Sequence, residues 1–408
     1  MLQGILTARL LGVEGFGILG AIILFTSVIN NLASFRMGEL VVRYVGLYNE
    51  SRDDQHAAAV FKSAALFEML ASLVAFLLVF LLAPLGAQYL AKDPTTTALF
   101  RIYGLIILAN LIAESSTGLL QIFDRFRRLS AIGIIQSVVT LALIGVVYFS
   151  QGGLLGVLIA YMAGKTVGAL GYSLAAIQAA ARRWGKGWWR VSLQLLSSKR
   201  RELVLFAVNT NLSATISLVT KDSEILWVSF FRGPLEAGYY RLALTLANLV
   251  ELPVSVLPQA TYPELSRQAA RKHWDKMRFV LRQGAILAGS YSLVITLFMV
   301  AFGQWLVALL YTPEFLPAYP ALIILLIGYL FSNTFYWRRP ALLALGQPDF
   351  PTKVNLILAI VKVVGVLIFV PQYGYLASAT LLAGFYIAGS LIYVWRIRSV
   401  LSSVSLQA

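Results

Sequence analysis

Residues 57–83 read Ala57-Ala-Ala-Val-Phe-Lys62-Ser-Ala-Ala-Leu-Phe-Glu68-Met-Leu-Ala-Ser-Leu-Val-Ala-Phe-Leu-Leu-Val-Phe-Leu-Leu-Ala83. Only Lys62 and Glu68 are charged in this run. A hydrocarbon core about 30 Å thick needs roughly 20 apolar residues in helical form, so the run predicts a membrane helix. Ten further runs of spanning length fall at 15–35, 98–122, 129–149, 153–177, 202–231, 237–261, 279–302, 317–337, 351–370 and 374–395. Before them, Met1–Leu11 is about ten residues, or roughly 15 Å of helix. It is expected to be the second half of a truncated first membrane helix. The expected fold is therefore all-α and integral to the membrane.

Composition agrees. Hydrophobic residues are 59% of the 408 and charged residues 12%, against about a quarter charged in soluble domains. The net charge of +15 raises nucleic acid as a partner, but the cations form no single patch. They recur between apolar runs. Connections 36–56, 124–128, 181–201, 264–282, 337–353 and the tail from 396 hold 24 of the 33 Lys and Arg residues. The opposite connections hold only Lys92, Lys221 and Arg232. The positive-inside rule then places both termini in the cytoplasm of a multi-pass protein. The basic, Trp-bearing stretch 181–201 reads as an interfacial linker, a helix lying on headgroups. Cysteine is absent and the two histidines, His56 and His273, fall in loops. No metal site is expected. No phosphate loop, dinucleotide loop or catalytic surface is present, so an enzyme is not expected.

The chain repeats weakly at an offset of 221. Gly17 matches Gly238, Gln151 matches Gln372, Gly153 matches Gly374, Leu155 matches Leu376, Gly168 matches Gly389 and Tyr172 matches Tyr393. Two six-helix lobes follow: 1–180, with the first helix truncated, and 202–408, joined by linker 181–201. This is a common transporter plan.

Ionisable residues inside spans are costly and are functional candidates. Glu68, Glu114 and Lys165 lie roughly 15 Å deep in the first lobe, and Glu251 and Lys362 at like depth in the second. They are expected to form an ion-pair network in each lobe, or to bind the Na⁺ or H⁺ that drives movement. No other cofactor is expected. Span 202–231 carries Asn209, Thr210, Asn211, Ser213, Thr215, Ser217 and Thr220 ahead of Lys221-Asp222. A lipid-facing helix would not tolerate that density. The span is also long for a straight crossing, so it is expected to tilt or bend. Asn30, Asn31 and Asn248 are similar candidates.

Several short motifs resemble one family. Thr7-Ala-Arg9-Leu-Leu-Gly12-Val-Glu-Gly-Phe-Gly17 resembles the A-R-x-L-G-P-E-x-F-G signature of bacterial polysaccharide-biosynthesis membrane proteins, with Val13 in place of Pro. Val41-Val-Arg-Tyr44, Lys221-Asp222 with Leu226, Glu236-Ala-Gly-Tyr-Tyr240, Tyr262-Pro-Glu-Leu-Ser266 and Ala341-Leu-Leu-Ala-Leu-Gly346 also fit. The resemblance is to oligosaccharide-lipid flippases, O-antigen flippases included, of the multidrug/oligosaccharidyl-lipid/polysaccharide exporter superfamily. It implies two lobes in a V, with helices one, two, seven and eight lining a cavity. It also implies a polyprenyl-diphosphate-linked oligosaccharide as cargo, with glycan polymerase or ligase proteins as partners in a bacterial or archaeal cytoplasmic membrane. On that resemblance Arg9, Lys221 and Arg241, with Asp222 beside them, would meet the diphosphate. Asn30, Asn31, Asn209 and Asn211 would meet sugar hydroxyls. The alternatives are a drug or cation antiporter of the same fold and a non-transporting scaffold of a glycan-assembly complex.

Overall fold

A computed structural model describes residues 2–218 and 223–405, excluding the side chains of 212–214, 216, 217 and 403–405. The first compact unit is Met1–Leu218. It contains α1 (Leu2–Ala33), α2 (Met37–Glu50), α3 (Asp54–Leu85), α4 (Thr97–Gly104), α5 (Ile106–Ala109), α6 (Ala113–Ile122), α7 (Phe126–Phe149), α8 (Gly153–Trp184) and α9 (Arg200–Ser217). The second unit, Val219–Ala408, contains α10 (Glu224–Arg232), α11 (Pro234–Glu251), α12 (Leu257–Ala270), α13 (Trp274–Leu310), α14 (Ala318–Thr334), α15 (Arg338–Ala344) and α16 (Asp349–Ser405). Among the described residues, eight helical stretches are long and apolar enough to cross a membrane. Helix is the expected form, because lipid offers backbone amides no partner.

Helix α3 shows how the sequence sorts its faces. Ala57, Phe61, Ala64, Glu68, Ser72, Ala75, Val79 and Ala83 are buried. Leu66, Leu70, Leu73, Leu77 and Leu81 are exposed, Leu81 at 69%. Both sets recur at three- and four-residue steps, so each occupies one stripe. The small and polar stripe faces protein and the leucine stripe faces outward, as helix packing in lipid requires.

The repeat at offset 221 is visible in the backbone. Gly12 (φ 66°, ψ −175°) and Gly233 (φ 90°, ψ −179°) are 221 residues apart and end one helix as the next begins. Gly153 (φ 61°) and Gly374 (φ 65°) form the second such pair. These left-handed conformations suit glycine, which has no Cβ to clash. At Gly374 a Cβ would also lie 2.1 Å from Glu236 Oε2. Thus α1 and α16 are each two helices meeting at a glycine turn. Breaks repeat too: residues 34–36 separate α1 from α2, and residues 252–256 separate α11 from α12.

Two expectations need correction. Connections 36–56 and 337–353 are largely helical, because α2 and α15 begin at the first arginines after a short break. Stretch 181–201 is not a surface helix. It holds two short 3₁₀ turns, Trp188–Arg190 and Leu193–Lys199, and Trp188 packs 5.2 Å from Phe61 in the first unit's core. Lys62 donates from Nζ to the Val191 carbonyl at 2.9 Å and ties this stretch to α3. Span 202–231 is described as α9 and α10, and residues 219–222 between them lie outside the described residues.

Helices α2 and α6 approach closely through glycine. A Cβ on Gly118 would lie 2.6 Å from the Gly38 carbonyl oxygen, and one on Gly38 would lie 2.9 Å from the Glu114 carbonyl oxygen. Backbone cannot step aside as a side chain can. Gly118→Leu should destabilise the protein by roughly 1–3 kcal/mol, read as a lowered thermal midpoint in detergent. Gly145→Ala, which meets nothing within 4 Å, should stay within about 0.5 kcal/mol.

Candidate functional site

The first unit carries a buried polar node where two broken helices meet. The chain leaves helical geometry before α6, so the first amides of that helix have no partner of their own. Glu68 of α3 supplies one. Its carboxylate accepts from Glu114 N at 2.8 Å, from Ser115 N at 2.9 Å and from the Ser115 hydroxyl. Glu68 is 5% exposed. Three donors aimed at one carboxyl group satisfy its oxygens in an apolar setting.

Glu114 extends the node to the first helix break. Ser34 Oγ lies 3.2 and 3.3 Å from its two carboxylate oxygens. Ser34 N bonds back to Asn30 O at 2.7 Å, ending α1. Asn211 of α9 donates from Nδ2 to the Ser34 carbonyl, and Thr215 Oγ1 donates to Asn211 Oδ1 at 3.0 Å. Lys165 does not join the carboxylates as expected. Its ammonium lies 5.8 Å from the centre of the Tyr103 ring.

The second unit holds a different arrangement. Lys362 of α16 pairs with Glu224 of α10, and the Tyr240 hydroxyl donates to the same carboxylate. Lys362 and Glu224 are 4% and 1% exposed. The depth match of Lys362 with Glu251 therefore does not describe this ion pair. Helix depth fixes height, but the bearing around the helix axis decides who meets whom. Glu251 sits within electrostatic reach of Tyr329, Tyr386 and Arg338. The Tyr329 hydroxyl donates to Asn248 Oδ1 at 2.5 Å.

Arg338 went unnoticed in the sequence. It donates from Nη1 to the Ser332 carbonyl at 3.1 Å and to Ser390 Oγ at 2.9 Å, and from Nη2 to Ser332 Oγ at 3.0 Å. It thus satisfies the carbonyl end of α14, where a cation is favoured. Its neighbours Trp337 and Arg339 made it read as part of a basic loop. The signal available was its position just inside a span that continues to Ala344.

The remaining candidates are spread out. Arg9 and Asn31 on α1 and Asn209 on α9 are exposed, Asn30 and Arg241 are half-buried, and Asn211 is buried. Lys221 and Asp222 lie outside the described residues, as does Thr220, and the side chains of Ser213 and Ser217 are likewise undescribed. No cluster of metal-ligating side chains occurs among the described residues.

Replacing Lys362 with Met removes the ammonium that faces the buried Glu224 carboxylate. The expected loss is about 3–5 kcal/mol, largely recovered in the double variant Lys362→Met/Glu224→Gln. Thermal unfolding of the purified variants checks both values.

Comparison with known proteins places this architecture. The Escherichia coli K12 inner membrane protein YghQ is 22% identical over 304 residues, covering 74% of this chain and 85% of that protein. An inward-facing multidrug resistance MATE family transporter of the MOP superfamily superposes with a TM-score of 0.76 at 14% identity, covering 100% of this chain and 94% of that one. The lipid II flippase MurJ in an inward closed conformation gives 0.74 at 14% identity, covering 99% and 87%. A MOP superfamily transporter from Pyrococcus furiosus gives 0.66 at 14%, covering 99% and 91%. The MatE family model matches residues 223–368. These families and neighbours are transporters and flippases, not enzymes. The model described as polysaccharide biosynthesis protein matches residues 1–269 of 408, and the chain belongs to that family, as a multi-pass membrane protein.

Proposed function

We propose that this protein moves a polyprenyl-diphosphate-linked oligosaccharide across the cytoplasmic membrane for polysaccharide or O-antigen-type synthesis. Family membership over residues 1–269 carries the reading. The fold shared with a lipid II flippase supports it. A diphosphate cannot enter hydrocarbon without replacing its hydration, and arginine does so through charge-assisted hydrogen bonds. Arg9 with Asn30, Asn31, Asn209 and Asn211 in the first unit, and Arg241 with Lys221 and Asp222 in the second, are the residues assigned to headgroup and sugar. The cargo is taken up from the cytoplasmic leaflet, where both termini lie, and passed to glycan polymerase or ligase proteins.

Coupling to H⁺ or Na⁺ falls in this reading to Glu114 and Glu251. Glu68 is committed to the amides of α6, and Glu224 to Lys362. A second reading, a drug or cation antiporter, is favoured by the MatE match over 223–368 and by the multidrug transporter's TM-score of 0.76.

Reconstitution into vesicles separates these readings from a non-transporting scaffold. A fluorescent polyprenyl-diphosphate oligosaccharide should become accessible to a membrane-impermeant quencher only when the protein is present. Transport of a cationic dye without the glycan lipid would establish the antiporter instead. Movement of neither would leave the scaffold. Arg9→Gln and Arg241→Gln should each slow glycan-lipid transfer about tenfold or more, the loss of one charge-assisted contact. Unchanged rates in both variants refute their assignment.

A further inference from the structure

The first unit contains an apolar groove separate from the polar node. It is walled by Met37 and Leu40 of α2, by Val60, Ala64 and Phe67 of α3, and by Leu203, Val204, Ala207 and Val208 of α9. Phe35 closes one end, and Ser63 is the one polar side chain in the lining. Its empty volume is about 510 Å³. Phe67, Val204 and Val208 are 44%, 55% and 46% exposed, so the groove opens to the outside.

Three helices run along the groove in register. At one end they reach the polar node: Ser34 precedes Phe35, Glu68 follows Phe67, and Asn211 lies one turn past Ala207 and Val208. At the other end α2 and α9 carry arginine. Arg200 precedes Leu203 and Val204 by three and four residues, and Arg201 precedes Val204 by three, so each shares a helix face with groove-lining residues. Arg43 follows Leu40 by three, and its guanidinium lies 4.8 Å from the Phe206 ring centre. All three arginines are exposed. None enters an ion pair among the described residues. The nearby carboxylate, Glu202, is engaged by the Tyr44 hydroxyl at 2.9 Å.

We infer that this groove is a binding site for one anionic phospholipid of the bilayer, with an acyl chain between α2, α3 and α9 and its phosphate on Arg43, Arg200 and Arg201. The chemistry matches end for end. A hydrocarbon chain gains nothing from water and fills apolar walls. Guanidinium groups take phosphate oxygens in pairs, and clustered basic residues at a membrane surface draw anionic headgroups. The surrounding bilayer supplies such lipids in excess, so occupancy follows from mass action. The bound lipid would splint α9 to α2 and α3 beside Ser34, where the first unit's polar node begins.

Native mass spectrometry of the full chain, delipidated and titrated with phosphatidylglycerol or phosphatidylcholine of identical chains, tests this. One phosphatidylglycerol should be retained with clear preference. Arg200→Gln and Arg201→Gln should each weaken it about fivefold. Ala207→Phe, which fills the groove, should abolish retention. Because that variant could disturb packing, Val204→Glu, at a position already exposed, provides a second block of the acyl path. Equal retention of both lipids, or retention indifferent to all four variants, overturns the inference. So does retention of a polyprenyl phosphate in place of phosphatidylglycerol, which would assign the groove to cargo. Failure here leaves the transport assay above unaffected.

Discussion

Every helix break inside a membrane exposes amides or carbonyls that lipid cannot satisfy, and the polar chemistry of this protein is organised around that constraint. The break before α6 leaves amides, and Glu68 takes them from a neighbouring helix. The break at the end of α14 leaves carbonyls, and Arg338 takes one. One unit uses an acid at a positive helix end and the other a base at a negative end. Each choice follows the sign of the helix dipole. The two solutions differ in residue and location.

This changes how intramembrane charges should be interpreted. Charge inside a span is usually the first clue to a substrate path. Here Glu68 and Arg338 hold backbone, and Lys362 and Glu224 hold each other. What remains for cargo is a thinner set, with Arg9 and Asn31 exposed on α1 and Arg241 half-buried on α11. Glu114 stands between the two groups. Its backbone belongs to the α6 cap, whereas its carboxylate faces Ser34 at the neighbouring break.

Much of the fold was legible in the sequence because lipid imposes length and periodicity together. The run 57–83 announced α3. The offset linking Gly153 to Gly374 was legible because a left-handed turn admits few residues. Partners were less legible. Glu68 could be placed at its depth, yet its partners are amides 46 and 47 residues away. Lys362 could be placed beside Glu251 in depth but turns towards Glu224. Arg338 was hidden by its neighbours, since a cluster of Trp and Arg reads as a membrane interface whether or not the helix has ended.

The Lys362–Glu224 pair bears on how the second unit responds to voltage. A lone charge carried through a membrane potential exchanges about 2.3 kcal/mol with the field for every 100 mV. A lysine and a glutamate that travel together sum to zero and exchange almost nothing. This buried pair is thus electrically silent as long as it holds. Any voltage sensitivity of the transport cycle must then originate in charges that move without a companion.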